Sequence, residues 1–269
     1  MREDINNVAL DDKTQAIPFT ARLMAHYRAK ESESENPLLI DPYAEHLAGD
    51  LTDYFRTHGR YSKMDYGIVR SHYIEEKLLK PWCHQEDESQ IVLLGAGLDT
   101  KAYRFEPLKK KKHHVFEVDL PSINNYKNDL LKDEKSFCPL TRISADLSAL
   151  NWMDILLKNG FQKGIPTFWI MEGLVYYLEK AKVSTLLKKI NEVSAHRSRL
   201  FTDLCIPIYA EIQIGPFSKH FKWGLEKDKI CEFFAQTGWK VEWDWADSHD
   251  QGRDVGQKGL YFIVGVKKI

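Results

Sequence analysis

The chain has 269 residues, 43% of them hydrophobic, which is enough for one large core of α/β size. Its 38 basic residues nearly cancel its 39 acidic ones, so no net field draws it onto nucleic acid or an anionic membrane; a small molecule or a peptide is the expected partner. No stretch approaches the roughly 18 apolar residues that a membrane span requires, and MREDINNVALDDK has no apolar leader-like run, so a cytoplasmic location is expected.

Residues 15 to 80 predict helices, because Phe19, Leu23, Met24 and Tyr27 recur at three- and four-residue spacing. Asp41-Pro42 reads as an N-cap and first-turn proline opening a short helix through Leu47, and a third helical stretch runs from about Asp65 to Leu79. The pattern changes at Ile91. Apolar runs then follow as IVLLGAG at 91, HVFEVDL at 114, TRISADL at 141, PTFWIMEG at 166, RLFTDLCI at 199, WKVEWDW at 239 and LYFIVGV at 260. The first five are separated by lengths that accommodate crossovers, which predicts a mostly parallel sheet with helices on both faces. The stretch between the last two is polar, contains glycine and lacks a helical period, so the final strand is expected to be antiparallel.

The expected organisation is a single domain over residues 1–269. It has a helical cover at 1–88 and a seven-stranded core at 89–269, with a lid insertion near 207–226 where aromatics surround Gly215-Pro216. Lys109 to Lys112 reads as a solvated loop. Gly238-Trp239 reads as a helix-ending glycine followed by a packing aromatic. Cys83, Cys138, Cys205 and Cys231 are widely spaced and read as reduced thiols, and neither His113-His114 nor His220 has the spacing of a metal site.

The chemistry sits at the strand ends. Gly95-Ala96-Gly97 closes the first strand, where glycines allow a tight turn and close approach of backbone to a ligand. Asp119 closes the second, near the roughly 20-residue offset at which an acid meets ribose hydroxyls. Glu117 shares its face by period-two alternation and competes for that role. Asp146-Leu147 follows the third strand and Glu172 the fourth, so small or acidic residues converge on one edge of the sheet. S-adenosylmethionine (SAM) presents complementary donors in its ribose hydroxyls, adenine amino group and α-ammonium. A pyrophosphate would be repelled by this rim, and the third glycine of the dinucleotide fingerprint is missing, which disfavours an NAD-dependent oxidoreductase.

The segments ARLMAHYRAKESE, DPYAEHLAG, VRSHYIEEKL, VLLGAGLDTKAYRF, FEVDLP, ADL, EGLVYYL and FKWGLEKDKICEFFAQTGW occur in this order. Together they resemble the leucine carboxyl methyltransferase family, which includes polyketide carboxyl O-methyltransferases of the tetracenomycin type. The likeness spans roughly Thr20 to Val266. It implies a class I, Rossmann-like, SAM-dependent methyltransferase fold. It also implies that Arg70 holds the methionine carboxylate and that Gly95, with Ala96 and Gly97, packs against the methionine part. Asp119, next to Leu120, would hold the ribose, Asp146 and Leu147 would contact adenine, and Glu172 would lie near the amino-acid moiety. Two departures from the family pattern, Ser71 after Arg70 and Lys101 in DTKAYR, keep the hydroxyl and the charge.

A carboxylate acceptor is already ionised at neutral pH, so its methylation asks for positioning and partial exclusion of water, not for a general base. The expected activity is SAM-dependent O-methylation of a small-metabolite carboxylate or a peptide C-terminus. A phenolic or enolic hydroxyl acceptor and a non-catalytic SAM-binding protein are the alternatives. Arg22, Arg28 and Tyr176 are the candidates for positioning the acceptor.

Overall fold

The computed structural model describes residues 19–52, 55–56, 65–149, 151–212, 220–255 and 258–268. The cover begins with α1 (Phe19–Ser32), whose buried face includes Arg22, Arg28 and Glu31 beside Leu23, Ala25 and Ala29. A hydrophobic-period reading finds the helix and misses its charged face. The short helix α2 spans Ala44–Ala48 and so starts later than Asp41-Pro42 suggested. Asp41 still accepts the Tyr43 N–H through Oδ1 at 3.1 Å, but its Oδ2 is drawn inward to Arg28 and Thr100.

The third helical stretch runs past the expected end at Leu79. It is built as α3 (Asp65–His72), a π-helical segment Tyr73–Leu79 and α4 (Lys80–Gln85) without a break. Pro81 has no N–H to donate, and its ring crowds the carbonyl four residues earlier. A widened turn just before it, in which the Lys80 N–H bonds the Glu75 carbonyl, carries the chain through the proline.

The sheet comprises β1 (Glu88–Leu94), β2 (Lys112–Asp119), β3 (Leu140–Ser144), β4 (Thr167–Met171), β5 (Arg199–Cys205), β6 (Trp239–Trp245) and β7 (Leu260–Lys267). Their order is β3-β2-β1-β4-β5-β7-β6, and β7 alone runs antiparallel to its neighbours. The helices between and after the strands are α5 (Lys101–Arg104), α6 (Pro121–Leu130), α7 (Trp152–Lys158), α8 (Lys180–Val193), α9 (Ile208–Glu211) and α10 (Ile230–Ala235). This is the mostly parallel Rossmann-like sheet expected from the spacing, with the antiparallel last strand.

Strands β1 and β4 are buried almost throughout, as parallel strands covered on both faces must be. Four tryptophans, Trp82, Trp152, Trp169 and Trp239, lie fully inside. Three of their indole N–H groups find acceptors: Ser89 Oγ at 3.0 Å, Ser194 Oγ at 2.8 Å and the Leu187 carbonyl at 3.1 Å. Cys83, Cys138 and Cys205 are buried free thiols, pushed up by burial to about 12, about 11 and about 12. They are poor nucleophiles.

The strand order reverses between β1 and β4: the chain leaves β1 toward β2 and β3, then returns to the other side. Such a switch point opens a crevice at the carboxyl ends of the strands. The register aligns those ends, pairing Leu94 with Val118, Asp119 with Ser144 and Met171 with Thr202. Among the described residues, no helix is long and apolar enough to cross a membrane, and no group of histidine, cysteine or acidic residues could hold a metal ion.

Candidate active site

At the switch point the chain turns at Gly95, which has φ +68°. The Gly95 N–H reaches the Val118 carbonyl at 2.9 Å. A Cβ there would stand 2.9 Å from Leu174 Cδ1 and in a left-handed conformation that side chains resist. The Gly97 N–H then donates to Asp119 Oδ2 at 2.6 Å, and the Leu120 N–H donates to Asp119 Oδ1 at 2.7 Å. Burial raises the Asp119 carboxyl above its ordinary range, against the pull of those two amides.

The fold places the two candidate acids, Glu117 and Asp119, differently. Glu117 is fully buried, with Oε2 at 2.9 Å from Lys127 Nζ and 2.8 Å from Arg142 Nε, and it lies outside the pocket wall. Asp119 lies on that wall.

The second half of the site joins the cover to β4 and β5. Glu172 Oε1 accepts Arg70 Nε at 3.1 Å and Ser71 Oγ at 2.7 Å, while its Oε2 accepts Lys101 Nζ at 3.1 Å. Lys101 also pairs with Asp99 and lies 3.9 Å from Glu75. Arg104 holds Glu75 with two bonds of 2.9 and 2.5 Å, so the π-helical segment is tied to α5, the short helix that follows the glycine loop. Arg28 reaches Asp41 at 2.8 Å and the Leu98 carbonyl at 2.6 Å.

Burial alone would raise the Glu172 carboxyl, but Lys101 and then Arg70 outweigh it and hold it down to about 2. Burial likewise opposes the charges on Lys101 and Arg70, and their acidic partners raise both above the ordinary values. Counting the groups in these pairs together with Asp203, Asp41, Glu75, Asp99, Glu172 and Asp203 face Arg28, Arg70, Lys101 and Arg104. Four positive charges against five negative ones leave a net charge of −1.

Four of these groups, Arg28, Arg70, Asp99 and Glu172, line a pocket of about 330 Å³. The structure brings Arg28, Arg70, Gly95, Ala96, Gly97, Asp119, Glu172 and Tyr176 onto its wall. Leu120 stands exposed beside Asp119. Asp146 and Leu147 are not part of the wall: Asp146 is exposed and accepts the Ser148 N–H and Oγ at 2.7 and 2.9 Å. Arg22 is also elsewhere. Its Nε and Nη2 donate to the Ala48 and Asp50 carbonyls at 2.8 Å each, serving acceptors that the end of α2 leaves open.

Of the expected lid, residues 213–219, with Gly215-Pro216, lie outside the described residues. Phe221 lines the pocket, with its ring 4.0 Å from Tyr176 and 5.2 Å from Tyr177. Asp203, Tyr66 and the pairing of Lys101 with Asp99 and Glu75 escaped the sequence reading. A signal for Asp203 was present: an acid inside the apolar run RLFTDLCI must be paired when the strand is buried.

Known proteins resemble this chain. A family model described as leucine carboxyl methyltransferase matches residues 21–191. A protein of Saccharopolyspora erythraea assigned as an S-adenosyl-L-methionine-dependent methyltransferase is 28% identical over 253 residues, covering 87% of this chain and 86% of its own. One of Streptomyces avermitilis with the same assignment is 33% identical over 248 residues, covering 86% and 83%. Among solved structures, a protein of Thermobifida fusca described as a methyltransferase superposes with a TM-score of 0.59 at 15% identity, covering 96% of this chain and 97% of that one.

Proposed function

This chain belongs to the leucine carboxyl methyltransferase family and is a SAM-dependent methyltransferase, and we propose that the methyl group passes to a carboxylate oxygen of a small metabolite or a peptide C-terminus. The observation that carries this reading is the chemistry of the pocket wall, whose described residues include no histidine, lysine or cysteine. Glu172 is fixed in its ionised form, and burial keeps the Tyr66, Tyr176 and Tyr177 phenols protonated. Apart from Asp119, whose carboxyl burial raises and which is proposed below for the ribose, the described wall offers no group that takes or gives a proton near neutral pH. A carboxylate arrives already ionised, whereas an ordinary phenol or alcohol needs a base.

The residues present fit SAM. Asp119, on two backbone amides, has lone pairs for ribose hydroxyls, Glu172 for the α-ammonium, and Arg70 has guanidinium donors for the α-carboxylate. Gly95, Ala96 and Gly97, which lie on the pocket wall, would border the methionine part. Leu120, Asp146 and Leu147 are proposed for the adenine at the open rim. Bound SAM supplies an electrophilic methyl group on a sulfonium. The protein's part is to orient the acceptor, with Arg28 and Tyr176 as positioning candidates, and to keep water out with Phe221 and its aromatic neighbours. Arg22, committed to two carbonyls away from the pocket, is left out.

The test is transfer from methyl-labelled SAM to pools of small carboxylic acids and of short peptides with free C-termini. A methyl ester releases its label as methanol in mild base. A labelled product stable to base would sink the carboxylate reading.

A further inference from the structure

Asp203 has no part in the reading given so far, yet it is the most heavily bonded acid at the site. It sits in β5 with no solvent exposure. Its Oδ2 accepts Arg70 Nη1 at 2.7 Å, the Tyr66 hydroxyl at 2.7 Å and the Tyr176 hydroxyl at 3.1 Å. Its Oδ1 accepts the Gly173 N–H at 2.7 Å. One carboxylate therefore ties together α3, the turn after β4 and the 3-10 turn Val175–Tyr177.

The consequences run through Arg70. Glu172 holds the guanidinium at Nε and Asp203 holds it at Nη1, so its plane is fixed from two sides. The third edge, Nη2, lies 3.2 Å from where a side chain at Gly173 would begin. Gly173 has φ +66° and carries none, so that edge keeps an approach on the side of the turn that Asp203 itself anchors. A carboxylate contact at that edge gains from such a preset plane, because a guanidinium free to rotate loses part of the binding in ordering itself.

We propose that Asp203 is a positioning residue of this methyltransferase: it sets the guanidinium of Arg70, and the Gly173 turn beside it, to receive the carboxylate of the cofactor's amino-acid end. The proposal rests on the assignment of Arg70 to that carboxylate. Tyr66 and Tyr176, whose hydroxyls both point at Asp203, keep the acid from rotating and carry the same order to the pocket wall. Tyr66 also lies under the guanidinium, with its ring centre 5.2 Å from Arg70 Cζ.

The test compares two ligands by calorimetry: S-adenosylhomocysteine, which has the amino-acid end, and 5′-methylthioadenosine, which lacks it. Asp203→Asn keeps the shape and removes the charge. The expected result is at least tenfold weaker binding of S-adenosylhomocysteine, with methylthioadenosine affinity within twofold of wild type. Tyr66→Phe, a milder change, is expected to weaken S-adenosylhomocysteine about threefold with the same selectivity. Equal loss of both ligands would mean that Asp203 only holds the fold, and no loss of either would mean that it does nothing for the cofactor; each overturns the proposal. Arg70→Lys serves as the reference: if it spares S-adenosylhomocysteine, the assignment of Arg70 fails. If it weakens that ligand selectively while Asp203→Asn does not, the proposal for Asp203 alone fails.

Discussion

Lys101 is the cation on which the ionisation of Glu172 chiefly depends, and Lys101→Met tests that dependence. At 3.1 Å and an effective dielectric near 20, the pair attracts by about 5 kcal/mol before desolvation. Holding the carboxyl at about 2 instead of the ordinary 4.5 corresponds to about 3 kcal/mol in favour of the ionised form. The two figures agree in order of magnitude, the smaller one including the cost of burial. Because the folded value lies below the ordinary one, this stabilisation is complete above about 4.5 and is lost as pH falls toward 2.

Methionine fills the volume of the lysine stem but leaves Glu172 with Arg70 and the Ser71 hydroxyl, so Glu172 titrates at higher pH. Calorimetry of S-adenosylhomocysteine from pH 8 to pH 5 should show the ratio of variant to wild-type Kd growing about tenfold as pH falls. Taking the ratio cancels any titration common to both proteins, including that of Asp119. Lys101→Arg, which keeps the charge, should leave the ratio flat. A flat ratio for Lys101→Met as well would refute the idea that this lysine keeps Glu172 ionised.

Gly173→Ala would place a methyl group 3.2 Å from Arg70 Nη2 in a backbone conformation of φ +66°, at a strain of about 1–3 kcal/mol. A lower Tm together with at least tenfold weaker S-adenosylhomocysteine binding is expected, and unchanged binding would show that the turn does not face the ligand. The buried pairs carry a net charge of −1 before Asp119 on the pocket wall is counted, an excess that SAM, carrying +1, offsets and the neutral demethylated product does not. SAM should therefore bind more tightly than S-adenosylhomocysteine at low ionic strength, and equal affinities in titrations of wild type would contradict this balance.

The fold was legible because its signals are local. All seven apolar runs became strands, since each is long enough for one strand and bounded by polar or turn residues. The antiparallel β7 could be anticipated because too little helical pattern lies between it and β6 for a crossover. The cover was less legible. Helix continuation through Pro81 violates the local rule, and only the π-helical turn before it, stabilised in part by Glu75 bonding to Arg104, makes the exception affordable.

The site divided in the same way. The glycines and Asp119 sit at strand ends, where a sequence announces them by position, and the pocket contains them. Arg70 came from family resemblance, because no spacing rule brings a helix of the cover to the end of β4. The apolar run around Asp203 signals only that it is paired; the roles of Asp203 and Lys101 depend on partners such as Gly173, Arg70 and Glu172, which lie 30 or more residues away. Glu172, buried after β4, requires cations to hold its charge, since an unpaired carboxylate there would take up a proton, whereas Asp119 rests on two backbone amides. The sequence showed the acids that face a ligand. The cations, and the one acid that aligns Arg70, follow from asking what must neutralise and orient those acids once the sheet has brought them together.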